Sequence, residues 1–139
     1  RDQDSFNKLF AMGQLKWTPL ANLNLALQPY RTTQQTVVAG TIFFTATGVN
    51  LSATYPLGMR FEVTSNLGFE VDRFSSPAGA LALTPTRSDT LKNAAIGLNY
   101  RAVRWLGVSL QYVFEDRSSN ARDFNYQANT AMLSVQGMF

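Results

Sequence analysis

From Leu106 to Arg117 the chain sets Leu106, Val108, Leu110, Tyr112 and Phe114 on one parity and Gly107, Ser109, Gln111, Val113 and Glu115 on the other. A repeat of two marks a β-strand with one apolar and one wetter face, whereas a helix repeats its apolar stripe every three to four residues. The same alternation fills most of the chain. Leu23, Leu25 and Leu27 oppose Asn24, Ala26 and Gln28. Phe61, Val63, Leu67, Phe69 and Val71 oppose Glu62, Thr64, Asn66, Glu70 and Asp72. Ala94, Ile96, Leu98 and Tyr100 oppose Asn93, Ala95, Gly97 and Asn99, and Ala131, Leu133 and Val135 oppose Met132, Ser134 and Gln136. Seven strands are expected, over about 6–17, 22–30, 36–55, 60–74, 90–100, 106–117 and 124–139. Thr18-Pro-Leu-Ala, Pro56-Leu-Gly-Met and Arg101-Ala-Val-Arg make short turns. Arg31–Gln35, Ser75–Asp89 and Ser118–Asp123 read as loops. The third run loses phase around Ile42–Phe44 and is read as one long strand with a bulge near Gly48, two short strands being the alternative.

Alternation alone suits a soluble sandwich as well as a membrane barrel, so composition has to decide. Charged residues make up 15% of the chain, against about 25% in soluble domains. No run of about 20 apolar residues exists to make a helical span. Aromatics recur beside the short turns, at Trp17, Tyr55, Tyr100 and Phe139, with intervals of 38, 45 and 39 residues that each match one up-and-down hairpin. With Phe61 and Trp105 they would form a girdle at one membrane interface. The turn side carries Lys16, Arg60, Arg101 and Arg104 against Glu62, a surplus of +3, while the other eight basic and eight acidic residues cancel. Long loops on one side and short turns on the other is the outer-membrane arrangement, the turns being periplasmic. The expected fold is all-β, a transmembrane antiparallel up-and-down β-barrel in a single domain.

The chain ends on an aromatic, Gln136-Gly-Met-Phe139. This ending resembles the closing strand of an outer-membrane barrel, whose terminal Phe is part of the signal read by the barrel-assembly machinery. The stretch Tyr100-Arg-Ala-Val-Arg-Trp-Leu-Gly-Val-Ser-Leu-Gln-Tyr-Val-Phe-Glu-Asp-Arg-Ser-Ser-Asn120, followed by Asp123-Phe-Asn-Tyr126, resembles the C-terminal part of β-barrel porin families linked to bacterial exopolysaccharide clusters. The resemblance covers roughly residues 88–139 and, more loosely, 48–74. It implies a Gram-negative outer-membrane channel or export barrel, without catalysis, whose partners are the lipid bilayer, the assembly machinery and a polysaccharide or other hydrophilic solute.

The parity opposite the apolar one supplies the lumen-facing candidates: Lys16, Asn50, Glu62, Asn66, Glu70, Asp72, Asn99, Gln111 and Glu115. The carboxylates and Lys16 could set the ion preference of a pore, brace its interior by salt bridges, or sit solvated at its rim. The amides suit a hydroxyl-rich, uncharged solute and equally suit any wet interior. Glu115-Asp116 could hold a cation or stand as a solvated strand end. Cysteine and histidine are absent. Their absence removes disulfides, Cys- or His-ligated zinc and every Ser-His or Cys-His nucleophile pair, so neither cofactor nor metal is expected. A net charge of +3 without an aromatic-lined basic patch speaks against nucleic acid.

Two expectations concern completeness and class. The polar start Arg1-Asp-Gln-Asp has no signal-peptide pattern. Seven strands would leave two unpaired edges in lipid, so either at least one further strand is expected before Arg1 or the edges pair with another chain. Splitting 36–55 into a hairpin would instead give a complete eight-stranded barrel. The rival classes are a non-conducting barrel anchor and a soluble, lipocalin-like barrel with its apolar face turned inward.

Overall fold

The computed structural model describes residues 10–35, 43–75 and 87–137. Their alternation becomes strands β1 (Ala11–Met12), β2 (Leu15–Leu20), β3 (Leu23–Gln35), β4 (Phe43–Leu57), β5 (Phe61–Ser75), β6 (Ser88–Val103), β7 (Leu106–Ser119) and β8 (Tyr126–Gly137), with a 3-10 turn at Arg122–Phe124 before β8. From β3 to β8 each strand pairs antiparallel with the next in the chain, and β1 and β2 both lie along β3. The sheet is all-β and up-and-down, and it is not closed among the described residues: β8 pairs only with β7, and β1 and β2 only with β3.

β1 and β2 occupy one strand position. Ala11 opposes Arg31 and Leu15 opposes Leu27, so a single register runs through the gap at Gly13–Gln14. That gap faces Pro29. Gly13 N–H donates to the Pro29 carbonyl at 3.0 Å, but Pro29 has no N–H to return. The missing donor points at the edge strand, the place where a sheet tolerates proline. The β3–β4 ladder on its other side is unbroken from Asn24 to Gln35. Eight strand segments therefore fill the seven positions that the alternation predicts.

Two sequence expectations are corrected. Arg31–Gln35 continues β3 instead of looping, its two threonines supplying strand propensity where the apolar pattern stops. Gly48 is not a bulge, since both ladders pass it in constant register. Its small size has another cause: a Cβ there would lie 2.6 Å from the Tyr30 hydroxyl, whose ring crosses above it. Phe43–Leu57 is a single strand, and residues 36–42, on which the hairpin alternative depends, lie outside the described residues.

Residues opposite each other across a ladder share a face, and the register sorts the side chains. One face carries rows such as Leu15–Leu27–Leu51–Leu67–Ala94–Phe114 and Tyr55–Val63–Leu98–Leu110–Leu133. Its charges, Arg31, Arg73, Lys92 and Asp116, fall toward the loop ends of the strands. Along β5 this face is free of charge from Phe61 to Val71, ten steps or about 34 Å of strand. Tilted as barrel strands are, that length spans about 25 Å of height, the thickness of an outer-membrane apolar band. Leu67, Ile96, Leu110 and Leu133 on this face are 50–68% exposed. The buried residues lie on the opposite face: Ala46, Phe74, Gly97 and, unusually, Asp72 and Asp89. The greasy face is the bare one, the inverse of a soluble sheet.

Candidate functional site

The register gathers all nine polar candidates onto that second face. Lys16 opposes Ala26; Asn66 lies between Ser52 and Ala95; Gln111 opposes Gly97. Asn50 and Asn93 flank Gly68, with Glu115 next in the row. A Cβ on Gly68 would sit 1.9 Å from Asn93 Oδ1 and 2.7 Å from Asn50 Oδ1, so this glycine is the floor over which two amides lean. Toward the short turns Glu62 Oε1 accepts from Asn99 Nδ2 at 3.2 Å. Toward the loops the Tyr30 hydroxyl crosses Gly48 to donate to Glu70. Glu70 and Glu62 are thus braced by neighbours on the face. Lys16, Asn66, Gln111 and Glu115 remain exposed.

Glu115 and Asp116 do not form a cation site. Adjacent strand residues point to opposite faces: Glu115 shares the polar row with Asn93, while Asp116 opposes Lys92 on the apolar face. Among the described residues no cluster of acidic side chains is placed to hold a metal.

The loop end of the polar face holds a cluster that strand alternation did not reveal. Asp89, fully buried, accepts Arg87 Nε on Oδ1 at 3.0 Å and Arg117 Nε on Oδ2 at 3.1 Å. A terminal nitrogen of each arginine lies 2.5 Å from the same Oδ2, and the Ser119 hydroxyl donates to Oδ1. The Arg87 guanidinium is sandwiched between the Phe74 ring at 4.3 Å and the Phe124 ring at 3.4 Å, while Phe74 stacks on Phe44 at 5.2 Å. The cluster ties the start of β6 to β7 and to the turn before β8. Asp72 lies directly opposite Asp89 in the β5–β6 ladder, and its Oδ1, though buried, has no hydrogen-bond partner among the described residues. Sequence reading missed Asp89 and Arg87 because they fell in the stretch assigned to a loop.

The turn end is built differently. Arg60 continues the β5–β6 register one step past the strand, directly opposite Arg101, and the Arg101 N–H donates to the Arg60 carbonyl at 2.8 Å. Arg60, Arg101 and Arg104 line a pocket of 340 Å³ with Glu62, Asn99, Ser109 and Gln136. The short β4–β5 turn that ends at Arg60 is closed by Gly58 at φ +72°, a conformation glycine adopts without steric cost.

Of the girdle aromatics, Trp17, Tyr55, Phe61 and Tyr100 fall on the apolar face by register, all within a few residues of the short turns. Phe61 and Tyr100 are cross-strand partners, their rings stacked at 4.5 Å and 23°. Trp105 sits exposed in the β6–β7 turn, and Phe139 lies outside the described residues.

A family model described as "Putative beta-barrel porin 2" matches residues 4–139. No curated protein and no solved structure matches the chain.

Proposed function

The chain belongs to the β-barrel porin family just described, and from that membership we propose that it builds the wall of a bacterial outer-membrane channel, its polar face lining the lumen and its apolar face meeting lipid. The observation that carries the reading is the sorting of the faces: one face exposes large apolar side chains, along β5 over about the height of a membrane, and the other holds the amides, most of the charges and the few buried residues. A lipocalin-like barrel would cover the apolar face instead. In lipid every edge hydrogen-bonding group needs a partner, so the edges at β1/β2 and β8 pair there with each other or with further strands.

The solute is hydrophilic. The middle of the polar face presents Asn50, Asn66, Asn93 and Gln111, groups that exchange hydrogen bonds with hydroxyls at little cost, so a polysaccharide chain fits the reading. The aromatics near the turns would anchor the periplasmic interface, and the C-terminal strand with Phe139 would engage the assembly machinery. Passage, not catalysis, is the activity proposed.

Reconstitution of the full protein in planar bilayers tests this. The expected result is a stable conductance with weak preference for ion sign, since Glu62, Glu70, Asp72, Asp89 and Glu115 are offset by Lys16, Arg60, Arg87, Arg101 and Arg117 on the same face. A folded, inserted protein with no conductance would overturn the channel in favour of a membrane anchor.

A further inference from the structure

The β5–β6 ladder sets two arginines directly opposite each other at its turn end. Arg60 and Arg101 form a hydrogen-bonded cross-strand pair, so their Cα atoms stand only about 5.5 Å apart on one face. Like charges directly opposite each other repel, and a sheet keeps such a pair at a cost. Nothing in the described chain relieves it: Arg60, Arg101 and Arg104 take part in no side-chain hydrogen bond or ion pair among the described residues. The nearest acid along the face, Glu62, is already held by Asn99. Beside the pair the floor is bare, because a Cβ on Gly107, the cross-strand partner of Arg101, would touch nothing within 4 Å. A pocket of 340 Å³ opens at that point with all three arginines in its lining.

We propose that Arg60, Arg101 and Arg104 form a binding site for an oxyanion, a carboxylate or phosphate carried by the solute, at the turn-side mouth of the channel. A planar guanidinium presents two parallel donors to such a group, and two arginines rooted at opposed strand positions can reach it from both flanks. The site rests on the channel reading, since it needs the polar face to line the lumen, and it narrows the solute from hydrophilic to hydrophilic and anionic. The loop-end cluster offers no comparable site, because Asp89 already occupies its arginines.

The test uses the full protein in planar bilayers of neutral lipid, with trigalacturonate or inorganic phosphate added to one side. Block is expected from the turn side only, fading as salt rises. Changing Arg60, Arg101 and Arg104 to Gln should weaken it roughly tenfold per arginine lost. Migration of the unheated protein on a gel checks that the variant is folded. Retained phospholipid, measured as phosphorus in the purified protein, distinguishes the second source of the same chemistry: lipid lost in the variant, without block by soluble anions, assigns the site to a headgroup phosphate. If no conductance is seen at all, the channel reading fails, and titration of both anions onto the protein in detergent still judges the site. Binding, block and lipid content equal in the wild-type protein and the Gln variant would overturn the proposal.

Discussion

One ladder, β5–β6, carries a like-charged pair at each end: Asp72 opposite Asp89 toward the long loop, Arg60 opposite Arg101 beside the short turns. The two ends answer the same electrostatic problem in opposite ways. At the loop end the chain supplies the counter-charge itself, with Arg87, Arg117 and Ser119 closing around Asp89. At the turn end no side chain among the described residues pairs with the arginines, and the nearby Glu62 is bonded to Asn99 instead. An internally neutralised pair serves as a fastener, and an unneutralised pair beside open space keeps its charge for something that arrives. The difference separates a structural role from a binding role among charges that composition counts alike.

The largest effect should come from breaking the fastener. Asp89→Ala removes the acceptor of two arginines that are only 14% and 25% exposed, and stripping one partner from a buried ion pair costs about 3–5 kcal/mol. The variant is expected to unfold at markedly lower urea concentration from lipid vesicles, or to fail to accumulate folded. A loss no larger than that of an exposed polar residue would show that the loop-end cluster is not structural.

The comparison also requires that both ends share a water-filled face. Leu110→Arg places a charge at mid-height on the opposite face and should cost about 2–4 kcal/mol, whereas Gln111→Leu, next along the same strand, should cost little. Equilibrium unfolding of the two variants in vesicles measures this. A reversal of the two outcomes would invert the assignment of inside and outside.

Within the acidic pair the members are unequal. Asp89 is saturated with donors, while Asp72 is buried with Oδ1 unpartnered among the described residues and two carboxylates, Asp89 and Glu70, close by on its face. Asp72→Asn keeps the shape and removes the repulsion, so a gain of about 1 kcal/mol is expected. The same unfolding measurement checks it, and a loss comparable to that of Asp89→Ala would mean that Asp72 belongs to the fastener.

Period-two alternation made the fold legible, because a strand with one apolar face leaves its mark on every second residue. It also put Glu62, Glu70 and Asn99 on one face correctly. What it could not supply is register. That Arg60 opposes Arg101, or that Asp72 opposes Asp89, depends on how strands slide past one another. Across Ser75–Asp89 the chain gives no short turn to fix that slide. Nor could alternation show why Gly48 and Gly68 are small, since their reasons, the Tyr30 ring and the Asn93 amide, come from neighbouring strands. The loop-end cluster was hidden for a related reason: Arg87 acts through Phe74 and Phe124, residues far from it in sequence.

The smallest expected effect is the one that most sharpens the comparison. Arg60 and Arg101 are exposed, so their repulsion is screened, and removing one charge should change stability by only about 0.2–0.5 kcal/mol. Its sign matters more than its size. If the turn-end pair is held apart from any counter-charge, Arg60→Gln should stabilise the protein slightly, and the gain should vanish in high salt as the repulsion it relieves is screened. If instead Arg60 is a fastener like Arg117, the same change should destabilise at every salt concentration. Urea midpoints at low and high ionic strength, compared with those of Arg117→Gln, decide between the two. A loss for Arg117→Gln and a salt-sensitive gain for Arg60→Gln is the pattern that two opposite solutions on one ladder require.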